Sequence, residues 1–534
     1  MNLFRRIQLS RDRSITMANL VDELLRRNGD CEISVSEDGP FYLSDLHGAI
    51  CRIDSFLRYS IGLRPGEPVA IYCANGRNCF HWFLGIIRAG GIAVPLNPQL
   101  SLTEVRRILA DSGTQVLVID RAVFGRNIVD RGALNVRAWI QDDEEAETMD
   151  GFVRVRDCGA PLPPAAVDPA MTVAVFHTSG TTGFPKGAAL SSRALLGARS
   201  STVFAGFFLG QNDLALVALP WSHIMAVSIA VYGLMAGVRG CFLERFDVEN
   251  ALDLIERYRV TAFVGVPAML ARLVNSNPDP RRLASLRVWL SASDYLPGEV
   301  RDRLREFGAL LRLPGGRRMP PVLLNGYGMV ELGGLAMMGI EVSLFPGSGQ
   351  LYFPVPPFRV RIADENGRSV RAGAPGECQV RRRGITPHYW KDKDSKDGLL
   401  TDDGWLRTGD LATRNRLGLI RIVGRIKDVI KSGGYSVYVR ELEETVLAHP
   451  EVVRAAAFGL PHTEKGVVPV AAVELYPGAP ATEDVLLAWC RQRLAAYKAP
   501  RRIWIVETGS LPHTHNGKLM RRLLRERFAA DVKT

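Results

Sequence analysis

The residues with the clearest chemistry lie in the segment TVAVFHTSGTTGFPKGAALS, from Thr172 to Ser191. An apolar, β-branched run is followed there by glycines, hydroxyl side chains and a single lysine, Lys186. Glycines let several backbone N–H groups point at one anion, hydroxyls add short donors, and an ammonium neutralises phosphate charge. This is not the Gly-Lys-Ser/Thr loop of P-loop nucleotidases, because Lys186 lies between Pro185 and Gly187. The segment therefore predicts a phosphate-binding loop of another kind.

Lysine is rare in this chain, which makes its positions informative. Only ten of the 67 Lys and Arg residues are lysines, and Lys186 is the first of them. Lysine carries a compact charge on a flexible stem, whereas arginine presents a planar fork of donors. Where arginine is the usual cation, a lysine indicates a place that needs a point charge.

The elements that would position such a loop follow an α/β pattern. In the first two thirds of the chain, apolar β-rich runs alternate with amphipathic segments, as in PVAIYCA before NCFHWFLGIIRAG. Beyond about residue 425 the units become shorter, and strands and helices mix. We predict an α/β fold with a large layered N-terminal domain with mainly parallel sheets over residues 1–425. A small α+β C-terminal domain is predicted over residues 426–534.

Composition narrows the class of protein. The 534 residues are 47% hydrophobic and 23% charged, which is typical of a water-soluble chain with more than one core. The eight cysteines include no CxxC pair and no Cys/His cluster, so we expect neither a zinc site nor a disulfide framework, and the cytoplasm is predicted. The N-terminus shows no signal-peptide pattern. The uncharged run from Leu214 to Val238 contains Pro220 and His223, which favours a buried strand, turn and helix over a membrane span.

The formal net charge of +11 raises the question of a polyanionic partner. Basic residues are spread along the chain rather than gathered in one run, so we interpret most of them as a solvated surface. Such a chain suits anionic substrates such as nucleotides. No nucleic-acid partner is expected, and peripheral contact with a membrane stays open.

Seven motifs occur in an order that resembles the adenylate-forming (AMP-binding) enzyme superfamily, which includes acyl-CoA synthetases. They are AGGIAVPLNPQLS, TSGTTGFPKG, LPWSH, NGYGMVE, GWLRTGD, GRIKDVIKSGG and LPHTHNGKLMRR. Because they are spread along the sequence, the resemblance extends over nearly the whole chain. The resemblance implies a ligase that joins an apolar carboxylic acid, fatty or aryl, to AMP with release of pyrophosphate, and then transfers the acyl group to CoA. It implies ATP, Mg²⁺ and CoA as cofactors.

The resemblance also implies which residues act in the reaction. Lys518 would offset charge where the carboxylate meets the α-phosphate, and His223 would border the acyl pocket. Glu331 and Thr181 would bind Mg²⁺, since hard oxygen ligands suit a hard cation. The uncharged helix after His223 would line a hydrophobic cavity, as expected for an apolar acid.

Nucleotide and CoA contacts are implied in the same way. Tyr327 would stack on adenine, and Asp410 and Arg425 would bind the ribose. Lys427 would be the hinge about which a mobile C-terminal domain rotates. The other implied phosphate, nucleotide or CoA positions are Thr178, Ser179, Gly180, Thr182, Gly183, Lys186, Asn325, Gly326, Gly433 and Gly434.

Four positions depart from the family pattern. Val330 stands where the family usually has a threonine whose hydroxyl faces the α-phosphate, so adenylation is expected to be slower. Tyr435 and Val439 alter the usual GGENIYPxE segment near the thiol acceptor. Asp294 stands in SASDYL, where the family commonly has SGGAPL, and we interpret it as a local hydrogen-bonding residue near adenine or the acyl pocket.

Two alternatives remain at this point. An acyl-AMP ligase would pass the acyl group to a carrier protein, but such enzymes typically carry an insertion after the glutamate motif, and none is evident after Glu331. A catalytically weak, basic binding protein on the same fold is the other. ATP-dependent release of pyrophosphate would distinguish an enzyme from that binding protein.

Overall fold

The computed structural model describes residues 3–36, 39–127, 132, 134–142, 148–155, 161–178, 186–312, 314, 317–342, 350–382, 388–391, 399–432, 435–462, 466–513 and 519–529. The chain divides into two compact units. The large unit comprises Met1–Leu296, Val300–Arg359 and Val380–Leu406, and the small unit comprises Pro297–Glu299, Val360–Gln379 and Arg407–Thr534. The functional division after residue 425 stays a prediction.

The helices follow from amphipathic spacing and from capping residues. In α5, for example, Ser101 accepts a hydrogen bond from the backbone N–H of Glu104, whose side chain bonds back to Ser101, and Gly113 ends the helix in the left-handed conformation. Across the described residues the helices are α1 (Leu3–Arg11), α2 (Leu20–Asn28), α3 (Leu43–Tyr59), α4 (Arg77–Arg88), α5 (Leu102–Ser112), α6 (Arg121–Asn127), α7 (Ser192–Leu195), α8 (Ser201–Ala205), α9 (Ile224–Ala236), α10 (Val248–Tyr258), α11 (Pro267–Asn275), α12 (Gly298–Leu304), α13 (Val439–Leu447), α14 (Glu483–Arg493) and α15 (Arg521–Phe528).

Most strands coincide with the apolar runs of the sequence. They are β1 (Glu32–Ser36), β2 (Gly39–Tyr42), β3 (Pro68–Tyr72), β4 (Ile92–Pro95), β5 (Val116–Ile119), β6 (Ala138–Gln141), β7 (Val153–Arg154), β8 (Thr172–Thr178), β9 (Lys186–Ser191), β10 (Leu214–Val217), β11 (Arg239–Phe242), β12 (Ala262–Gly265), β13 (Val288–Ala292), β14 (Leu311–Arg312), β15 (Arg318–Met319), β16 (Val322–Met329), β17 (Gly334–Glu341), β18 (Tyr352–Pro354), β19 (Arg359–Ala363), β20 (Gly376–Arg381), β21 (His388–Tyr389), β22 (Leu406–Arg414), β23 (Ile420–Arg425), β24 (Ile430–Ser432), β25 (Tyr435–Val437), β26 (Val452–His462), β27 (Gly466–Leu475) and β28 (Ile503–Val506).

One sheet of the large unit carries the lysine of the predicted phosphate loop. Its strand order is β21-β9-β8-β4-β3-β5-β6-β7, and the strands from β8 to β7 pair in parallel. The other two pairings, β8 with β9 and β9 with β21, are antiparallel. Lys186 therefore begins the second strand of a hairpin, whereas the lysine of a P-loop begins a helix.

The second sheet of the large unit places the NGYGMVE motif beside a hydrophobic layer. Its order within the large unit is β18-β17-β16-β13-β12-β10-β11-β1-β2, and the central strands β16, β13, β12, β10 and β11 are parallel. On one face Phe263 and Trp289 pack with ring centroids 5.6 Å apart inside a buried cluster. The predicted α/β fold with mainly parallel sheets is confirmed, with antiparallel strands at the sheet edges.

The uncharged run from Leu214 to Val238 folds as the sequence predicts. It forms β10, a turn, and helix α9, most of whose side chains are buried. Among the described residues no helix has both the length and the apolar character needed to cross a bilayer.

The small unit is the predicted mixture of strands and helices. Strands β19, β20, β22 and β23 are consecutive neighbours in one sheet, and a second sheet has the order β25-β24-β27-β26 with β28 beside β27. The long hairpin of β26 and β27 separates two hydrophobic clusters, one under α13 and α14 and one under α15.

Candidate active site

Glu331 lies in a one-turn 3-10 helix, Val330–Leu332, between strands β16 and β17. Two glycines make this tight turn feasible. A β-carbon on Gly328 would come within 2.0 Å of the Gly334 carbonyl oxygen, and one on Gly333, whose φ is 77°, would come within 2.3 Å of the Ala194 carbonyl oxygen. The turn places Glu331 in a buried position, with 8% of its surface exposed.

Tyr389 links Glu331 to Lys186. Its hydroxyl donates a hydrogen bond of 3.0 Å to Glu331 Oε1, and the Lys186 ammonium lies 5.1 Å from the centre of its ring. Burial, together with the negative charge of Glu331, raises the pKa of the Tyr389 phenol well above its ordinary value. The hydroxyl thus stays protonated and donates throughout the neutral range.

Tyr389 is absent from the predicted site residues, although Lys186 and Glu331, which it joins, are among them. The sequence offers only a Tyr-Trp pair in a basic stretch, PHYWKDK. What identifies Tyr389 as a site residue is the pairing of β21 with β9, which places Tyr389 opposite Ala188. That antiparallel pairing joins segments about two hundred residues apart and is visible only in the folded chain.

The NGYG residues lie along β16, where a register shift between Tyr327 and Gly328 interrupts the pairing with β17. A bulge of this kind re-aims the side chains next to it. Tyr327 is half-buried and packs edge-on against Tyr352, with ring centroids 6.1 Å apart. Asn325 is buried. The motif thus presents one partly exposed aromatic ring, as adenine stacking requires.

Asp410 and Arg425 form an ion pair within the small unit, with Arg425 Nε 2.7 Å from Asp410 Oδ1. The carboxylate is buried, and the guanidinium is partly exposed. Lys427 follows in the short 3-10 turn Ile426–Asp428. Loss of solvent around its ammonium, together with the positive charges of Arg425 and Arg521, lowers the pKa of Lys427.

Several predicted site residues lie outside the described residues. Thr178 ends β8, but only its backbone is described. Those with neither backbone nor side chain described are Ser179, Gly180, Thr181, Thr182, Gly183, Gly433, Gly434 and Lys518. The structure therefore brings Lys186 and Glu331 together around Tyr389 and places Asp410 beside Arg425, and the remaining assignments stay predictions.

His223 is the residue that precedes helix α9, and an apolar cavity of about 170 Å³ lies against the C-terminal half of this helix. Ile229, Gly233 and Leu234 line the cavity from the helix side. The opposite wall is contributed by the strands of the second sheet, through Ala215, Val217, Ala262, Val264, Val288, Leu290, Leu324 and Met338.

The few ionisable groups at the cavity include His81 and Arg77. The His81 ring stacks on Phe41 at 5.4 Å, and the Arg77 guanidinium lies 5.3 Å from the centre of the same ring. Burial, together with the positive charges of Arg77 and Arg52, lowers the pKa of His81 to about 3. The imidazole is therefore neutral at physiological pH, which preserves the apolar character of the lining.

Glu331 fits the requirements of a magnesium site. Carboxylate oxygens are hard ligands, and Mg²⁺ at nucleotide sites is typically held by one or two carboxylates with phosphates and water. Within the described ranges, no group of three or more His, Cys, Asp and Glu side chains is placed to hold a metal. A single buried carboxylate is thus the kind of donor that a nucleotide-bound magnesium ion uses.

Asp294 is exposed, and its Oδ1 accepts a hydrogen bond of 2.8 Å from the backbone N–H of Tyr295. Asp294 therefore forms a local hydrogen bond, and a position of this residue near adenine or the acyl pocket stays a prediction. The contact is with the next residue in the chain, so it explains the turn after β13 rather than any ligand contact.

Comparison with known sequences identifies relatives along nearly the whole chain. The family described as AMP-binding enzyme matches residues 26–390, and the AMP-binding enzyme C-terminal domain matches residues 441–518. A long-chain-fatty-acid–CoA ligase of Yersinia pestis is 31% identical over 507 residues, covering 88% of this chain and 87% of the relative. A feruloyl-CoA synthase of Amycolatopsis sp is 31% identical over 494 residues, covering 91% of this chain and 93% of the relative.

A similar fold is found among solved structures. The crystal structure of ATP-bound MatB from Rhodopseudomonas palustris superposes with a TM-score of 0.82 at 26% identity, covering 97% of this chain and 100% of that one.

Proposed function

The chain belongs to the AMP-binding enzyme family, and we propose that it is an AMP-forming acid–thiol ligase that converts an apolar carboxylic acid into its CoA thioester. In the first step a carboxylate oxygen attacks the α-phosphorus of ATP, the bond to the β-phosphate oxygen breaks, and pyrophosphate leaves. In the second step the CoA thiolate attacks the acyl carbon and AMP leaves.

One observation supports an apolar acid as the substrate. Strands β16 and β17 contribute to the wall of the apolar cavity, and the NGYGMVE motif lies on β16 and in the turn between these two strands. Leu324 and Leu335 line the cavity, and the segment between them contains Tyr327 and Glu331. A β-carbon on Gly326 would lie 3.1 Å from Leu335 Cδ1, so this motif approaches the cavity wall closely. An acid whose apolar part filled the cavity would have its carboxylate near the nucleotide.

The cavity favours neither a fatty nor an aryl acid. An apolar protein cavity of roughly 150 Å³ binds benzene, so one of about 170 Å³ would hold an aryl ring or a short alkyl chain. The relatives point both ways, because one is named for long-chain fatty acids and another for feruloyl-CoA.

Within the proposal, charge neutralisation is the main task of the protein. Lys186 would hold the β- and γ-phosphates, and Lys518 would offset charge as the carboxylate meets the α-phosphate. Glu331, with Thr181, would hold Mg²⁺, which supplies positive charge against the phosphate oxygens when bound. Asp410 would accept hydrogen bonds from the ribose hydroxyls.

We also propose that residues 1–425 and 426–534 act as the two functional domains, with Lys427 as the hinge. A hinge residue need only absorb a change in backbone angles. Use of ATP and CoA supports the cytoplasm as the compartment in which the enzyme works.

The experiment is an acid panel with the full chain. Short, medium and long fatty acids and aryl acids are incubated with ATP and Mg²⁺, and pyrophosphate, acyl-AMP and the CoA thioester are each measured. We expect ATP-dependent pyrophosphate release with an apolar acid, its loss in Lys518→Ala, and its retention in the matched terminal variant Lys533→Ala.

Two other outcomes would overturn parts of the proposal. Acyl-AMP that accumulates in the presence of CoA would indicate a carrier protein as the acceptor. No pyrophosphate release with any acid, in the wild type as in Lys518→Ala, would indicate a binding protein on this fold.

A further inference from the structure

Residues 388–391 form a short strap that is anchored on both sides of Tyr389. Within the strap, β21 pairs with β9, and the Trp390 backbone N–H donates to the Gly187 carbonyl oxygen at 2.6 Å. The Trp390 indole donates to the Ser112 carbonyl oxygen at 3.0 Å, and the Lys391 ammonium donates to the Ala110 carbonyl oxygen at 2.9 Å. The strap therefore joins the sheet that carries Lys186 to the C-terminal end of α5.

These anchors hold the backbone at Tyr389 in place. The residue is held by strand pairing at its own position and by two side-chain hydrogen bonds at the next two. A tyrosine side chain has only two torsions to order, so it loses little freedom when its hydroxyl forms a hydrogen bond. Tyr389 is thus a rigid support for more flexible groups that contact it.

The groups that contact Tyr389 are flexible and oppositely charged. Lysine and glutamate side chains are among those with the largest rotamer freedom, and here Lys186 contacts the ring face while Glu331 contacts the hydroxyl. The hydrogen bond engages Oε1 of Glu331, which sets the plane of the carboxylate and so the direction of Oε2. One aromatic residue therefore orients both a cation and an anion.

We propose that Tyr389 is a positioning residue for Mg²⁺-dependent ATP binding, which acts by orienting the Glu331 carboxylate through its hydroxyl and the Lys186 ammonium through its ring. The inference rests on the proposed function, in which Glu331 holds Mg²⁺ and Lys186 holds phosphates. It predicts that the Tyr389 hydroxyl increases the affinity for ATP only when Mg²⁺ is present. The Tyr389 ring should increase the affinity for ATP with or without Mg²⁺.

Binding of ATP to the full chain is measured by titration calorimetry, once with Mg²⁺ and once with EDTA. Tyr389→Phe removes only the hydroxyl, and we expect the affinity for ATP with Mg²⁺ to fall about tenfold, as for a lost charge-assisted hydrogen bond. The affinity without the metal should stay within about twofold. Tyr389→Leu removes the ring as well, and it should weaken both affinities.

Two comparisons separate positioning from a general structural role. Tyr72→Phe is the matched control, because it removes a buried hydroxyl that donates to the Leu100 carbonyl oxygen at 2.6 Å and should not change the metal dependence. In a Glu331→Gln background, Tyr389→Phe should have no further effect on metal-dependent binding, since the group it acts through is gone.

Equal loss of affinity with and without the metal in Tyr389→Phe, or full additivity with Glu331→Gln, would overturn the inference. If the wild type binds ATP with Mg²⁺ and Tyr389→Phe binds it with the same affinity, the inference about Tyr389 is wrong, but the proposed function is not affected. A wild-type chain that binds no ATP under either condition would instead refute the proposed function.

Discussion

Asp410 and Arg425 lie directly opposite each other on the antiparallel strands β22 and β23, with Oδ1 and Nε 2.7 Å apart. The backbone N–H of Asp410 donates to the Thr408 hydroxyl at 3.0 Å, which further fixes the strand. Opposite charges at directly paired positions stabilise a sheet. The buried carboxylate is thereby held in one orientation before any ligand arrives.

This pre-oriented carboxylate leads to a prediction for ATP binding. Asp410→Asn keeps the shape of the side chain but removes its charge, and we expect the KM for ATP to rise roughly 10- to 100-fold, the range for hydrogen bonds to charged groups. The measurement is pyrophosphate release as a function of ATP concentration, with the acid saturating.

The control for Asp410→Asn is Arg407→Ala. Arg407 is an exposed arginine on the same strand, and its Nη1 lies 3.6 Å from Glu377 Oε2. Exposed pairs contribute little, so its KM for ATP should match that of the wild type. A KM for ATP that does not change in Asp410→Asn would contradict the ribose-binding role.

Replacement of Val330 by threonine is predicted to increase the rate of acyl-AMP formation. It lies next to Glu331 in the 3-10 turn, where the family pattern has a threonine. Val330→Thr is nearly isosteric and adds one hydroxyl donor toward the α-phosphate, so we expect the rate of acyl-AMP formation to rise by on the order of tenfold. Single-turnover formation of acyl-AMP measures this step directly.

Val330→Ala serves as the partner variant, because it changes the packing without adding a donor. It should leave the rate of acyl-AMP formation at or below that of the wild type. If Val330→Thr were also no faster, another group already supplies the donor, and the departure from the family pattern has no kinetic consequence.

Local pattern predicted the elements of the fold well. The uncharged run around His223 was predicted as strand, turn and helix, and β10 and α9 are found there. The mixture of short strands and helices expected after residue 425 is also found, from helix α13 to strand β28. Apolar periodicity and turn residues are properties of contiguous segments, so the sequence alone reveals them.

What the sequence did not reveal depends on pairing between distant segments. Tyr389 becomes a site residue only because β21 pairs with β9, a strand much earlier in the chain. Register is set by the whole sheet and by turn geometry. The roles of Thr181 and Lys518, which lie outside the described residues, stay predictions.

The lowered pKa of His81 leads to the prediction that the folded chain loses stability as the pH falls. Its pKa is about 3 in the folded chain and about 6.5 when unfolded, so between these values the unfolded chain binds more protons. Stability contributed by the neutral imidazole is therefore present above about pH 6.5 and is lost as the pH falls toward 3. His81→Gln should be less sensitive to acid than the wild type over this window.

Urea unfolding of both chains at pH 7 and pH 5 checks this. The difference in free energy of unfolding, variant minus wild type, should increase from pH 7 to pH 5. His449→Gln offers a comparison in the small unit, at a buried histidine that packs against Trp489. A difference that is the same at both pH values for His81→Gln would show that the imidazole titrates normally in the folded chain.

The position of Gly233 leads to a prediction about the length of the acid that the enzyme prefers. It lies on α9 facing the cavity, and a β-carbon there would meet only the Val238 carbonyl oxygen, at 3.7 Å. Gly233→Leu places four carbons in the cavity and removes a helix-destabilising glycine, so the chain should fold. We expect the preferred acid to become shorter by roughly three or four carbons, since each methylene excluded costs about 0.8 kcal/mol.

Competition between acids of different length in one reaction, with the thioesters quantified together, measures this shift. Gly125→Leu is the matched control, because a β-carbon on this helical glycine would meet no atom within 4 Å, and it should keep the wild-type preference. Gly233→Leu should also leave the KM for ATP unchanged, since the proposed function assigns the cavity to the acid and not to the nucleotide. An unchanged preference in Gly233→Leu, with the variant folded, would mean that the acid binds elsewhere and that this cavity is packing space beneath α9.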